Sequence, residues 1–314
     1  MPPLVPLRKR LKRRLRTQLI RALLAVFGAL SWKRAGALGE WLGRLAYRLA
    51  AKERQKALKS LAVAFPEKSP QERERIAKDA FGHLGRAALE LANVRELDRA
   101  PDLFIDWPAE DRAALERALS RGRGVVFITG HVGNWELLAR RVALAGHPAQ
   151  SIARETSDRG TTELVEKFRL EGGVRSIWRG QEGAARQMLR ALKAGEILGL
   201  VIDQDTKVQS LFVPFFGVPA ATPRAPADLV LRTGAALMVG FCQRQHSGRY
   251  LLTMKELEVT PTGDREADAR GLTERLSLEI ENAIRRHPEQ WVWMHQRWKT
   301  RPSAADGRAG ERDA

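Results

Sequence analysis

The fold of this chain is decided at residues 124–136, which read GVVFITGHVGNWE. Five consecutive apolar or β-branched residues, Val125 to Thr129, lie between two glycines and predict a short buried strand. Asn134 is a residue type that caps helices, and it predicts a helix that begins at Trp135. A buried strand that leads through a short turn into a helix is the repeating unit of a parallel α/β sheet.

The turn between that strand and that helix carries a candidate catalytic pair, His131 and Glu136. The ordinary pKa of histidine lies closest to neutral pH, so His131 can take a proton from a hydroxyl nucleophile. A carboxylate beside the imidazole fixes its tautomer and stabilises the imidazolium that forms. Glu136 falls in the first turn of the predicted helix, where the helix dipole favours its ionised form. The H-x4-E spacing therefore predicts a general base with an orienting acid, as acyl transfer to a hydroxyl requires.

The same spacing leaves a purely structural interpretation open. In a continuous helix the two side chains would point about 140° apart, so a contact requires His131 to lie in the turn before the helix. Otherwise His131 packs beside the turn and Glu136 is a solvated acid. Spacing alone does not decide between the two interpretations.

Short apolar runs alternate with amphipathic segments along the remainder of the chain. Strands are predicted at 149–154, 197–202, 235–242 and 249–257, and helices at 71–97, 109–119, 135–145, 161–170, 181–193 and 272–286. This alternation predicts an α/β fold with a mostly parallel central sheet flanked by helices. Ligands of such sheets bind beyond the carboxyl ends of the strands. His131, Arg154 and Asp203 each follow a predicted strand, which favours the catalytic interpretation of His131.

The composition indicates a folded protein with an anionic partner. The chain has 314 residues, of which 44% are hydrophobic, and a net charge of +17. Such a charge favours an anionic membrane, an acidic protein or nucleic acid. The single cysteine, Cys242, excludes an internal disulfide. No spacing of histidine, cysteine and carboxylate residues matches a metal site, so we expect no metal ion and no other cofactor.

The positive charge is concentrated at the N-terminus, where no acidic residue precedes Glu40. Leucines recur there at every fourth position, at residues 7, 11, 15, 19 and 23. The pattern predicts a basic amphipathic helix over residues 1–35 that lies in a membrane interface, with Trp32 and Trp41 at the level of the headgroups. An ordinary core helix with a solvated basic face is the alternative.

The remaining sequence predicts one catalytic domain over residues 36–301 and a disordered polar tail over 302–314. Residues 1–65 have a helical pattern throughout, which ends at Pro66. The stretch 211–223 is rich in aromatic residues and prolines and predicts a shaped loop, which either lines an apolar channel or packs on the core.

Several short blocks along the chain carry a resemblance to one enzyme family. They are His131 to Glu136, Arg154, Ile202-Asp203-Gln204, Val213 to Gly217, Ala220 to Pro223 and Trp291 to Lys299. Jointly they resemble the late acyltransferases of lipid A biosynthesis, the lauroyl/myristoyl transferase family, over roughly residues 15–302. The resemblance implies a glycerolphosphate-acyltransferase-like α/β fold, preceded by a membrane-associated helix.

Roles for individual residues follow from the resemblance by position. It implies that His131 is the general base and that Glu136 is its partner. It further implies that Arg154, which matches the family's arginine after the second strand, meets an anionic group of the substrate. The polar residues expected to bind substrate are Arg154, Asp203, Asn134 and Arg224.

The resemblance also implies the partners of the reaction. Acyl carrier protein would donate a fatty acyl group to a hydroxyl of a lipid A precursor, at the cytoplasmic face of a Gram-negative inner membrane. A glycerophospholipid, or another glycolipid or aminolipid, is the alternative acceptor. A nucleic-acid-binding protein would explain the charge, but no nucleic-acid module signature is present and the chain has only 2 tyrosines for base stacking.

Overall fold

The computed structural model describes residues 26–155 and 158–302, together with Gln18. Helices are numbered from the first one described: α1 (Trp32–Leu49), α2 (Ala51–Ala64), α3 (Pro70–Leu91), α4 (Val94–Arg99), α5 (Ala109–Ser120), α6 (Trp135–Leu144), α7 (Arg159–Glu171), α8 (Ala184–Lys193), α9 (Ala225–Thr233) and α10 (Arg265–Arg286). The strands are β1 (Ile105–Asp106), β2 (Val125–Thr129), β3 (Ala149–Ala153), β4 (Val174–Trp178), β5 (Ile197–Val201), β6 (Ser210–Phe215), β7 (Val218–Pro223), β8 (Ala236–Arg244) and β9 (Tyr250–Leu257).

The central sheet has seven strands in the order β1-β9-β8-β2-β5-β3-β4. All neighbouring strands are parallel except β8 and β9, which form an antiparallel pair. The predicted α/β fold with a mostly parallel sheet is therefore confirmed. Because β2, β5, β3 and β4 run in one direction, their carboxyl ends share one edge of the sheet, which we call the carboxyl edge.

The core lies on both faces of this sheet, which explains why its strands read as continuous apolar runs. Successive side chains of a strand point to opposite faces. Val126 and Ile128 accordingly belong to one buried cluster, which includes residues of α2, α3, α9 and α10. Val125 and Phe127 belong to a second cluster, which includes residues of α5 and α6.

Residues 211–223 form a β-hairpin and not the shaped loop that was predicted. Strands β6 and β7 pair antiparallel, with Phe215 opposite Val218, and form a separate two-stranded sheet. The two-residue turn consists of Phe216 and Gly217, which have φ angles of 52° and 71°. Positive φ at both central residues is the geometry that matches the twist of a tight hairpin. The aromatic residues obscured this pattern because they pack on the core.

Helices α1 and α3 pack at glycines. A Cβ added to Gly39 would collide with the carbonyl group of Gly85, and one added to Gly43 would collide with the carbonyl oxygen of Phe81. Side chains are thus excluded where the two helix backbones meet.

We expect Gly39→Ala to lower the free energy of unfolding by about 1–3 kcal/mol, because the helices must separate to admit the methyl group. The matched control is Gly271→Ala in α10, where an added Cβ meets no atom within 4 Å. That substitution should leave stability unchanged or raise it, since alanine favours a helix by up to about 1 kcal/mol over glycine. Urea unfolding of both variants checks the prediction, and equal stability of the two would contradict it.

The N-terminal prediction is corrected in two respects. The helical pattern over residues 1–65 is interrupted at residues 28–31, just before α1, and again at Ala50, between α1 and α2. Trp32 was predicted at the level of lipid headgroups, but it is 7% exposed and its ring packs 5.0 Å from that of Phe104. Trp41 lies on the outer face of α1 and is 60% exposed. Among the described helices, none has the length and apolar character needed to cross a bilayer.

Most of the predicted amphipathic helix over residues 1–35, and the tail over 302–314, lie outside the described residues. Those two predictions, and the domain boundaries drawn from them, remain predictions.

Candidate active site

His131 lies in the turn between β2 and α6, at the carboxyl edge. The backbone of this turn is held from several sides. Gly133 donates its N–H to the carbonyl of Gln290 at 2.8 Å, and Asn134 donates to the carbonyl of Cys242 at 2.8 Å. Gly133 has a φ of 64°, and a Cβ there would collide with the Cys242 carbonyl, so only glycine fits. The turn is therefore rigidly attached to β8 and to the C-terminal segment.

A buried histidine of α3 forms a further hydrogen bond with the same turn. His83 Nε2 lies 3.1 Å from the carbonyl oxygen of Gly133. Since a carbonyl only accepts, Nε2 carries the hydrogen in this contact. Burial lowers the pKa of His83 to about 4, which keeps the ring neutral at pH 7. The sequence pattern gave His83 no partner, because Gly133 is 50 residues away along the chain.

The carboxylate that contacts His131 is Asp203, which follows β5. Its Oδ1 lies 2.7 Å from His131 Nδ1, and its Oδ2 accepts the backbone N–H of His131 at 2.6 Å. The indole of Trp291 donates a further hydrogen bond to Oδ2 at 2.7 Å. Because the carboxylate only accepts, His131 Nδ1 carries its hydrogen and Nε2 is left with a lone pair.

Asp203 is held in its ionised form although it is buried. Burial by itself raises the pKa of this carboxyl group. The charge of His131 and the hydrogen bonds from His131 and Trp291 outweigh that effect and lower the pKa to about 2. A permanent negative charge beside Nδ1 fixes the tautomer and stabilises an imidazolium, which is the role that the sequence assigned to Glu136.

Glu136 does not orient His131, so that part of the prediction is corrected. Both of its carboxylate oxygens pair with Arg169 of α7, at 2.5 and 3.0 Å. Glu136 lies in the first turn of α6, as predicted, but its side chain points towards α7. His131 lies before the helix and meets the strand next to β2 instead. The ion pair between Glu136 and Arg169 joins α6 to α7.

Glu136→Gln is expected to lower the free energy of unfolding by about 2–3 kcal/mol, because the largely buried Arg169 loses its counter-charge. The double variant Glu136→Gln/Arg169→Gln should lose less than the sum of the two single changes, since the partners then lose their charges together. Urea unfolding of the four proteins gives the coupling energy. Strictly additive losses would show that the ion pair does not join the two helices.

The side-chain amide of Gln204 and a second histidine, His295, lie close to the imidazole of His131. Gln204 Nε2 is 3.0 Å from His131 Nε2 and 2.6 Å from His295 Nε2. An amide nitrogen has two hydrogens to donate, so His131 Nε2 and His295 Nε2 can each accept one of them. Burial, and next the charge of His131, lower the pKa of His295 to about 4, which makes His295 neutral at pH 7.

The closing segment packs as part of the core around this site. Trp291 and Trp293 are 1% and 0% exposed, respectively. Arg297 is buried over the ring of Phe215 and donates hydrogen bonds to the carbonyl of Ala221 and to Thr222 of β7. Burial lowers its pKa to about 10. The closing segment thus holds the hairpin of β6 and β7 in place beside His131 and His295.

The other predicted substrate contacts have different surroundings. Asn134 is buried and its Oδ1 accepts the N–H of Leu137 at 3.2 Å, which confirms it as the cap of α6. Arg224 pairs with Asp228 and Glu266 at 3.0 and 2.9 Å, so its charge is already neutralised at the start of α9. Arg154 is exposed at the carboxyl edge, directly after β3.

Two observations concern possible metal ligands and the cysteine among the described residues. Within that part of the chain, no three His, Cys, Asp or Glu side chains come together as metal ligands. Cys242 is fully buried in β8, and burial raises the pKa of its thiol. A thiol in such surroundings is not a nucleophile.

Comparison with known proteins identifies close sequence relatives. The family model described as bacterial lipid A biosynthesis acyltransferase matches residues 7–300. The lipid A biosynthesis palmitoleoyltransferase of Escherichia coli K12 is 32% identical over 275 residues, which cover 84% of this chain and 85% of the relative. The lauroyltransferase of the same organism is 28% identical over 280 residues, covering 86% and 87%. A phosphatidylinositol mannoside acyltransferase of Mycobacterium tuberculosis (strain CDC 1551 / Oshkosh) is 25% identical over 226 residues, covering 70% and 68%.

Proposed function

This chain belongs to the bacterial lipid A biosynthesis acyltransferase family and is an acyltransferase, and on that premise we propose that it transfers a fatty acyl group from acyl carrier protein to a hydroxyl of a lipid A precursor. The observation that carries the mechanism is the contact between His131 and Asp203 at the carboxyl edge. This contact orients the imidazole and leaves its Nε2 free to take a proton from the acceptor hydroxyl.

The reaction takes place in a single transfer, without an acyl-enzyme. His131 Nε2 removes the proton of the acceptor hydroxyl while Asp203 stabilises the imidazolium. The oxygen attacks the carbonyl carbon of the thioester and forms a tetrahedral oxyanion. Collapse of this intermediate breaks the carbon–sulfur bond, and the departing thiolate takes the proton back from His131. The products are an ester and the free thiol of the carrier.

The oxyanion requires hydrogen-bond donors. In the turn that carries His131, the backbone N–H groups of His131, Gly133 and Asn134 already donate to Asp203, Gln290 and Cys242. We assign the donor role to the amide of Gln204, which lies 3.0 Å from His131 Nε2. A substrate that enters between Gln204 and His131 takes over this hydrogen bond.

Membrane association is supported by the outer face of α1. Trp41 and Leu49 are 60% and 75% exposed, and exposed basic residues, Lys33, Arg34 and Arg48, lie on the same helix. Exposed aromatic and aliphatic side chains flanked by basic residues suit the interface of an anionic membrane. The net charge of +17 also attracts an acidic carrier protein. We propose that the enzyme works at the cytoplasmic face of the Gram-negative inner membrane.

The test is transfer from radiolabelled acyl carrier protein to a tetra-acylated lipid A precursor, with the full-length protein in detergent. We expect a labelled penta-acylated product. Phosphatidylinositol mannoside and lysophospholipid serve as competing acceptors in parallel assays. Transfer to one of these and not to the lipid A precursor would contradict the proposed acceptor, while the same His131 chemistry would still apply.

A further inference from the structure

Two arginines lie side by side at the carboxyl edge. Arg154 follows β3 and Arg179 follows β4, and these strands are parallel, with Ala153 opposite Trp178. The backbone N–H of Arg179 donates to the carbonyl of Ala153 at 2.7 Å, which continues the pairing past the ends of the strands. The two guanidinium groups therefore extend from neighbouring points of one edge.

Neither arginine has a counter-charge within residues 26–155 and 158–302. The nearest acid in sequence, Glu155, accepts a hydrogen bond from Gln181 at 2.7 Å. Arg179 is half-buried, and burial together with the charge of Arg154 lowers its pKa. By contrast, Arg140, Arg141 and Arg169 each pair with a carboxylate. Two like charges held close together without an acid favour the binding of an anion.

The position of this pair relative to His131 limits what the anion can be. In the order β2-β5-β3-β4, the strands that carry Arg154 and Arg179 are second and third from the strand that carries His131. With strands about 4.8 Å apart, the backbones of Arg154 and Arg179 lie on the order of 10–15 Å from that of His131. A bound anion is thus a remote group of a substrate and not the group that reacts.

We propose that Arg179 and Arg154 together bind a phosphate group of a substrate whose reacting end lies at His131. The proposal rests on the proposed function and adds to it the second arginine, the phosphate chemistry and the distance. The guanidinium groups match the planar pairs of oxygens on a phosphate, and two of them neutralise a dianion. Within the proposed reaction the phosphate has two sources: the phosphorylated acceptor, or the phosphodiester of the phosphopantetheine arm of the donor.

The variant that tests the proposal is Arg179→Gln, with Arg179→Lys as the conservative change. The matched control is Arg175→Gln on the same strand, because Arg175 is exposed at the opposite end and already pairs with Glu196 at 2.6 Å. We expect Arg179→Gln to raise the KM of the phosphate-bearing substrate about tenfold, with little change in kcat, since the lost contact is remote from the reaction. Arg179→Lys should recover part of the loss, and Arg175→Gln should resemble the wild type.

Two substrate series distinguish the sources of the phosphate. If the acceptor supplies it, the tenfold penalty disappears with a dephosphorylated acceptor. If the donor supplies it, the penalty disappears with an acyl-N-acetylcysteamine thioester, which has no phosphate. A penalty that persists with both, or a KM equal to that of the Arg175 control, would overturn the proposal.

A binding measurement separates this proposal from the proposed function. Titration calorimetry of the wild type and the Arg179→Gln variant with phosphopantetheine, and with a phosphorylated glucosamine disaccharide, needs no turnover. Weaker binding of either probe by the variant supports the phosphate site even if no lipid A precursor is acylated. Equal binding of both probes by the two proteins would overturn it even if acyl transfer occurs.

Discussion

His131→Ala is expected to lower kcat/KM for acyl transfer by about 10³–10⁴-fold, the largest effect of any single change in this protein. Removal of a general base from a positioned site costs up to about 10⁴-fold. The second histidine at the site does not take over, because His295 is turned to Gln204 and its low pKa, about 4, makes it a weak base. The residual rate reflects substrates that are still bound in the correct orientation.

The measurement is the initial rate with radiolabelled donor at saturating acceptor, together with a thermal melt of each protein. His246→Ala is the matched control, since His246 is an exposed histidine in the turn between β8 and β9. We expect the control to retain the wild-type rate. A folded His131→Ala protein that keeps more than a tenth of the wild-type rate would show that the base is another group.

Asp203→Asn is expected to lower kcat/KM by about 10²–10⁴-fold with little change in shape. An asparagine amide that faces Nδ1 can donate to it and so favours the tautomer with its hydrogen on Nε2, which cannot take a proton from the acceptor. The variant also loses the charge that stabilises the imidazolium. Burial alone disfavours that charge, so only its contacts with His131 and Trp291 explain why it is kept.

Asp205→Asn is the matched control, two residues away, because Asp205 accepts hydrogen bonds from Thr300 at an exposed position. Rates for both variants over pH 6–9 separate a tautomer effect from misfolding, since a misfolded protein loses activity at every pH and melts earlier. If the folded Asp203→Asn enzyme kept the wild-type rate, another acid would have to orient His131, and Glu136 would be the first candidate.

The sheet and the location of the site could be predicted because they depend on local patterns. Apolar runs such as 125–129 predict strands buried on both faces, and the residues that follow parallel strands meet at the carboxyl edge of the sheet. His131 and Asp203 were therefore placed at the same edge of the sheet from sequence alone. Trp32 and the hairpin at 211–223 were misjudged because burial of aromatic residues depends on which partners meet them.

The sequence by itself determined the α/β class and the cap at Asn134, and it singled out His131 as the proposed base, since each follows from residues within a few positions of one another. Only the tertiary structure decided which acid orients that base. Glu136 is five residues from His131, but the direction of α6 turns it to Arg169, whereas Asp203 is 72 residues away and lies on the neighbouring strand. The spacing of residues along the chain does not specify the order of strands in a parallel sheet. The order is set by how the helices between the strands pack, and that order brings Asp203, Gln204 and His295 to one imidazole and sets Arg154 beside Arg179.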